Sequence, residues 1–500
     1  MKKIKYIFLI AGTLVIGSSC RKSFFDINNN PNQPSSASVD LVLPGALNAT
    51  AGSLVTGNEF SNYWMGYWAV SGGYAPGITE VSYKFSNSYH QNIWSNFYFA
   101  INNFNYVEQT ASAQQLKFFT GVAKIMKALC YHNLVDIYGN IPYSQALQIT
   151  KYPLPAYDKA VDIYGSLLKQ IDTARILIST SGGDVITPTS DIMFGGDKNQ
   201  WLKFANTLEL RLLLRMTQIS AKPSYWSSEL AILNADPNGF LGQGQSAAVN
   251  PGYSNASDAN LSPFYGTYGY NAVGNTQTNL GFFRANTYAV NFYQNTNDPR
   301  LGQFYAPYAG NSFAGNDFGI QGQPNNVVSA IGTGNGLLKS PSEGAPVLTS
   351  FESLFLQAEA AQRGLIPGDY KALYKAAISE SFNWFGLSSA SAQTYYSQTG
   401  LASLQDKVNI DLSSNPLVTI MTQKWAAINV LNPLEPFADY RRLLIPADVP
   451  GSKYPGVSAQ FAPYTTPYRL YYPQSEVQTN PDNVSAQGNV NLNTKIFWMQ

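Results

Sequence analysis

Between Leu116 and Leu147 the chain reads LKFFTGVAKIMKALCYHNLVDIYGNIPYSQAL. Lys117, Thr120, Lys124 and Lys127 recur at steps of three and four, which puts them in one narrow polar stripe on a helix. Phe118, Phe119, Val122, Ala123, Ile125, Met126, Leu129 and Cys130 fill nearly all the rest of the circumference. A helix that is apolar on most sides is a buried one, with neighbours packed round it. It is expected to end at Tyr138-Gly139-Asn140, because Gly139 can take the left-handed conformation and Pro142 cannot continue a helix. The exit turn combines polar and aromatic groups: Asp136, Tyr138, Asn140 and Tyr143.

Comparable patterns predict the neighbours. A first helix begins over Leu41 to Val55, and Trp94 to Thr110 makes an antiparallel partner for the central helix. A third covers Tyr157 to Ile178 and a fourth Asn199 to Ile219. Arg211 and Arg215 stand four apart inside the leucine-rich fourth helix. A buried arginine needs a partner, so a structural ion pair or a carbonyl contact is the expectation there. Helices return at Thr349-x-x-Glu352, a capping box, and Gly364 with Pro367 ends that helix. Asp369 starts the next, closed by Gly386, and Asn415-Pro416 caps another that ends near Val430. These are antiparallel pairs of the size found in tetratricopeptide repeats, although the consensus of that repeat is absent.

Two stretches break the pattern. Asn58 to Tyr89 interleaves Tyr63, Trp64, Tyr67, Trp68, Tyr74 and Tyr83 with Gly, Asn and Ser, and its Gly-Gly and Pro-Gly pairs preclude a long helix. Asn234 to Ser350 is dense in Gly, Asn, Tyr and Pro, with Tyr265, Tyr268 and Tyr270 on glycine-flanked turns. A long irregular stretch has a functional use or holds a small embedded subdomain. Aromatics on loops are candidate ligand platforms; packing into the core is the alternative for at least half of them. Asn297 to Leu301 looks like a capped helix-to-loop transition. From Asn432 onward the chain is rich in Pro and Tyr and is expected to wind over the surface.

Composition narrows the partners. Charged residues make up 12% of the 500-residue chain and aromatics 14%, with 33 Tyr and a formal net charge of +1. A nucleic-acid partner would need a basic face, and a strongly anionic ligand is disfavoured too. Few charges among many Tyr, Asn, Gly and Ser suit neutral, hydroxyl-rich molecules. His90 and His132 are the only histidines, which nearly excludes His-based triads and multi-His metal sites. No phosphate loop, EF-hand loop or metalloprotease motif is present. A glycosidase needs only two carboxylates, and 30 Asp and Glu leave that class open.

Lys2, Lys3 and Lys5 precede a short apolar run from Tyr6 to Ile16, too short to span a bilayer. Gly17-Ser18-Ser19-Cys20 follows and resembles a bacterial lipobox, with Gly17 where Leu is usual. Cleavage before Cys20 would leave a thiol for diacylglycerol, and a further N-acyl chain would complete a stable anchor. An ordinary secretory signal with an incidental Cys is the alternative. Cys130, the other cysteine, is expected to be a buried structural thiol. The expected organisation is a signal peptide over 1–19, the lipidated Cys20 and a tether over 20–40, and one domain over 41–500. That domain divides into a helical body (41–233 and 349–430), a loop-rich insert (234–348) and an irregular C-terminal segment (431–500).

Several pieces occur together in one order: SSC and FDINNNPN, WSNFYFAINNFNYV, GVAKIMKALCYHNLVDIYGNIPYSQAL, YGSLLKQIDTA, MFGGDKNQWLKFANTLELRLLLRM and NDPRL. FESLFLQAEAAQRG, YKAAISESFNWFG, IMTQKWAAINVLNPLEPFADYRR and RLYYPQSEVQTNPDNV follow. Each is weak alone; in this order they resemble the SusD/RagB family of outer-membrane nutrient-binding lipoproteins, in its divergent SusD-like branch. The resemblance covers nearly the whole chain after Cys20.

The resemblance implies a mainly α fold, an α-α superhelix of irregular tetratricopeptide-like pairs with a loop-rich ligand-binding region packed on it. It implies a lipid-anchored outer-membrane protein facing outward, the lid of a SusC-type TonB-dependent transporter. Such a lid captures neutral oligosaccharides for import, or peptides in some members, with no catalytic residues and no cofactor. A secreted all-helical glycosidase is the distant alternative. By regional analogy the ligand site would draw Asn62, Trp64, Trp68 and Tyr74 from the early loop. Tyr265, Tyr268, Tyr270 and Arg284 would come from the middle region.

Overall fold

The central helix is α3, Lys117–Tyr138. In the computed structural model, which describes residues 37–74, 77–332, 336–461 and 465–499, it is buried along its length except at Lys117, Lys124 and Lys127. The polar stripe meets a neighbouring helix. Lys124 Nζ lies 2.6 Å and Lys127 Nζ 3.0 Å from the carboxylate of Glu108. Thr120 donates its hydroxyl hydrogen to the carbonyl of Leu116 at 2.9 Å. At the exit the amide of Gly139 donates to the Val135 carbonyl at 2.8 Å. Gly139 has φ +76° and ψ −121°, so φ is positive but ψ lies outside the left-handed helical region, in backbone space that only glycine visits freely.

Around α3 stand α1 (Val39–Val55), α2 (Asn92–Ala113), α4 (Ala160–Ser179) and α5 (Lys198–Arg215), and the short α6 (Trp226–Ala235) follows against α5. Successive members pack on one another from α1 to α6. After the irregular middle region, which holds α7 (Thr287–Asn295), come α8 (Ser350–Gln362), α9 (Tyr370–Trp384) and α10 (Ser389–Ser397). Last are α11 (Pro416–Ile428) and α12 (Leu434–Leu443). Helix α8 packs on both α5 and α9, which joins the two halves of the helical body. The side chains of Asp369 and Asn415 cap α9 and α11 by accepting from the amides of Lys371 and Val418. The capping box at α8 is only half formed. Thr349 accepts from the Glu352 amide at 3.3 Å, but the Glu352 carboxylate turns inward to Arg211.

A buried ionic network ties these helices together. Arg215 of α5 meets Asp136 of α3 at 3.0 Å and the carboxylate of Glu435 in α12. Lys424 of α11 reaches Glu435 at 2.6 Å and Asp439 at 2.7 Å. Arg442 of α12 reaches Glu359 of α8 at 2.5 Å. Burial pushes the Glu435 carboxyl up, yet Arg215, Lys424 and Arg211 outweigh it and hold the group well below the usual range. The arginines of the leucine-rich helix are therefore structural ion-pair partners.

The segment after Asn432 departs from the expectation of a surface-winding tail. Its first part is α12, buried at every residue from Leu434 to Arg442. Mutual pairing lets Glu435, Asp439 and Arg442 enter the interior, so a polar sequence forms an inner helix.

Among the described residues, three two-stranded antiparallel ladders stitch the loop layer and the turns: β1 (Trp68–Val70) with β5 (Phe283–Ala285), β2 (Ile141–Pro142) with β3 (Tyr157–Asp158), and β4 (Ala247–Val249) with β6 (Ala345–Leu348). Within the middle region Asp298 and Arg300 form a buried ion pair at 2.6 Å, and Arg300 lies over the rings of Phe382 and Tyr395. The helix-to-loop transition there is thus anchored to the helical body.

Candidate functional site

The β1–β5 ladder brings the early loop and the middle region together, with Trp68 opposite Ala285, Ala69 opposite Arg284 and Val70 opposite Phe283. The two regions expected to share a site are therefore neighbours. Which of their side chains reach solvent is a separate question, and burial decides it.

Trp64 and Trp68 are each 0% exposed. The Trp68 ring stacks on Phe283, centroids 4.6 Å apart, and meets the edge of Tyr268 at 5.1 Å. The Trp64 ring meets Phe60 at 4.8 Å and Phe437 at 5.3 Å. Tyr268 is 1% exposed and donates its hydroxyl hydrogen to Glu59 at 2.5 Å. Asn62 is buried, and its backbone carbonyl accepts from the Tyr67 amide at 2.9 Å. Arg284 is buried as well, with Nη1 donating to the carbonyls of Leu280 and Phe283 at 2.7 Å each. Burial pushes its guanidinium pKa down. These five side chains offer no face to a ligand as placed. The aromatic cluster that looked like a platform is the packing between the loop layer and the helices.

Three of the expected residues do reach the surface. Tyr74 is 39% exposed and packs edge-on against the half-buried ring of Phe282 at 5.0 Å. Two exposed carboxamides are fastened to the segments that carry these two rings. Gln321 donates to the Gly72 carbonyl at 2.9 Å, and Asn325 donates to the Gly281 carbonyl at 3.3 Å and accepts from Ser71 Oγ. Tyr265 and Tyr270 pair with each other at 5.5 Å rather than with Tyr74. Tyr265 also lines a narrow cleft with Trp384 and Lys339, whose ammonium sits 4.7 Å above the Trp384 ring. That cleft has about 30 Å³ of open volume, the share of a single water molecule, so no sugar ring enters it.

The Tyr74 edge is the better platform. An aromatic ring with a free face takes the apolar C–H side of a sugar, and carboxamides exchange hydrogen bonds with its hydroxyls. Phe282, Gln321 and Asn325 escaped sequence reasoning. The GFFR run hinted at Phe282, but nothing in the sequence marks the two amides, because they join these loops only through bonds made in the fold, Gln321 to Gly72 and Asn325 to Ser71 and Gly281. Among the described residues, one group of carboxylates could hold a metal ion, Asp172, Glu209 and Glu229, far from this loop layer in α4, α5 and α6. Arg175 already pairs with two of its members.

Similarity to known proteins agrees with the fold. The chain superposes on a SusD homologue from Bacteroides uniformis with a TM-score of 0.76 at 20% identity, covering 92% of this chain and 99% of the other. It superposes on a chitin-binding SusD homologue from Flavobacterium johnsoniae with a TM-score of 0.75 at 23% identity, covering 91% and 98%. A SusD-like protein from Bacteroides thetaiotaomicron gives 0.72 at 21% identity, covering 92% and 99%. No curated protein is similar to this chain. Residues 31–473 match the SusD-like family described as "Starch-binding associating with outer membrane", and the chain belongs to that family.

Proposed function

We propose that the chain is a glycan-binding lid that captures neutral oligosaccharides at the cell surface and hands them to a SusC-type TonB-dependent transporter. Binding, without turnover, is its role. The lipid on Cys20, a residue outside those described, anchors it to the outer membrane through the tether of 20–40. The observation that carries this reading is the exposed Tyr74 ring beside Phe282, with the carboxamides of Gln321 and Asn325 fastened to the segments that carry the two rings. Family membership supports a glycan as its ligand. Tyr265 and Tyr270 extend the aromatic surface of the same loop layer.

One or two aromatic contacts add about 0.5–1.5 kcal/mol each beyond the apolar area they bury, and together with that burial they suit a Kd of roughly micromolar to millimolar, about 4–8 kcal/mol. Weak binding suits a lid, which must release its ligand to the transporter. The test is calorimetry with maltoheptaose and chitohexaose on wild type and Tyr74→Ala. The variant is expected to melt like wild type and to bind roughly 2- to 12-fold more weakly. Undiminished glycan binding by the variant would move the site elsewhere, and binding of short peptides in place of both glycans would assign the lid to peptide uptake. Lipidation is checked separately: Cys20→Ala should leave the detergent phase.

A further inference from the structure

A second cleft lies in the helical body, remote in sequence from the loop layer. It opens between α2, α3 and α4 beside the turn that follows β2, and has about 290 Å³ of open volume. Asn105, Lys127, Tyr131, Tyr143, Gln148 and Gln170 supply most of its chemistry. The turn is held firmly in place. Asp158 Oδ2 accepts from the amides of Tyr143 and Ser144 at 2.9 Å each, and Oδ1 accepts from the Ser144 hydroxyl at 2.7 Å. Leu147, on the rim, sits at φ +64°, a conformation rare for a residue with a side chain and concentrated at functional positions.

The lining carries unspent hydrogen-bonding capacity. Tyr131 is 2% exposed, yet its hydroxyl has no hydrogen-bond partner among the described residues. Burial pushes its phenol pKa upward, so it is a neutral donor at physiological pH. The Tyr143 hydroxyl accepts from Gln170 and also bonds Ser166. Gln148 uses its amide nitrogen on the Ser144 carbonyl at 2.9 Å and keeps its oxygen free. Lys127 Nζ donates to Asn105 at 2.9 Å and to Glu108 at 3.0 Å. The rings of Tyr131 and Tyr143 meet at 74° with centroids 4.9 Å apart and form an aromatic wall.

We infer that this cleft is a second, independent binding site for a single neutral polyhydroxylated ring, a monosaccharide unit. Lys127, the one charged residue of the lining, already spends donors on Glu108 and Asn105, so an anion would have to compete with those contacts as well as lose its hydration. An apolar ligand would strand the Tyr131 hydroxyl away from water. A ring bearing hydroxyls can accept from that hydroxyl and donate to the Gln148 oxygen while its C–H face lies on the tyrosine wall. The volume stands at the lower limit of small-ligand sites, about 300 Å³, which fits one ring and not a chain.

The experiment is saturation-transfer-difference NMR on the mature chain with D-glucose, D-galactose, N-acetyl-D-glucosamine and, as a peptide control, trialanine. Four proteins are compared: wild type, Tyr131→Phe, Asn105→Trp and Tyr74→Ala. Tyr131→Phe removes only an unbonded hydroxyl, and melting temperatures confirm that each variant is folded. At least one sugar is expected to bind wild type with a roughly millimolar Kd. Tyr131→Phe should weaken that binding threefold or more, Asn105→Trp should fill the cleft and abolish it, and Tyr74→Ala should leave it unchanged. The proposal is overturned if none of the three sugars binds, if binding survives in both cleft variants, or if only trialanine gives a signal that the cleft variants remove. Because the Tyr74 face is read by oligosaccharide calorimetry, either site can fail without the other.

Discussion

The indole of Trp68 stacks on the ring of Phe283, centroids 4.6 Å apart and planes inclined by 27°, diagonally across the β1–β5 ladder, where Trp68 stands opposite Ala285 and Phe283 opposite Val70. This contact lies between two segments that looked like open ligand loops, and it belongs to the core. Trp68→Ala should therefore lower stability by about 3–5 kcal/mol, as aromatic truncations in cores do. Trp64→Ala should behave alike, since its ring is enclosed by Phe60, Tyr83 and Phe437. Denaturant titration gives the cost. A variant of either residue that keeps wild-type stability while losing glycan binding would return that tryptophan to the site.

Gly139 closes the central helix at φ +76° and ψ −121°. A Cβ there would also stand 3.1 Å from Nη1 of Arg469, which is engaged with the Tyr138 carbonyl. Gly139→Val should cost about 1–3 kcal/mol from backbone strain alone, with a further contribution from displacing Arg469. Asn, which tolerates the left-handed helical region, should not rescue the position, because ψ lies outside it. Thermal melts of the two variants check both statements.

Arg215 answers carboxylates from two helices, Asp136 of α3 and Glu435 of α12. Arg215→Met keeps much of the volume and leaves those acids short of a counter-charge. The expected loss is about 3–5 kcal/mol, the range for breaking a buried pair on one side. Equilibrium unfolding in urea measures it. A neutral outcome would mean that Lys424 and Arg211 suffice for Glu435.

Glu209 is fully buried among Arg175, Asp172 and Glu229. Burial pushes its carboxyl up to about 8, with Arg175 pulling partly in the other direction. The folded chain then holds this proton more tightly than the unfolded one, whose Glu titrates near ~4.3. Stability from this group is present below the unfolded value and is lost as pH rises towards the folded one. Relative to Glu209→Gln, wild type should weaken between about pH 5 and 8, by at most ~1.4 kcal/mol per pH unit for one proton. Parallel stability curves for the two proteins over that interval would exclude a protonated Glu209.

The long helices were legible in the sequence, because helical period and end signals are local properties. Leu116 to Leu147 contains both the circumference that buries α3 and the glycine that stops it. The placement of aromatics in two irregular stretches was legible too, as was the family those stretches resemble. Which aromatics face water was not. Trp68 and Tyr74 stand six positions apart in one loop, yet one is 0% exposed and the other 39%. Their difference rests on partners such as Phe283 and Phe282, more than two hundred positions away. The inner helix α12 was hidden for the same reason. Its Glu435 and Arg442 look like surface residues until Arg215, 220 positions from Glu435, and Glu359 meet them in the interior. Period and composition report what a segment can do alone; burial is a property of pairs, and only the tertiary structure chooses the pairs.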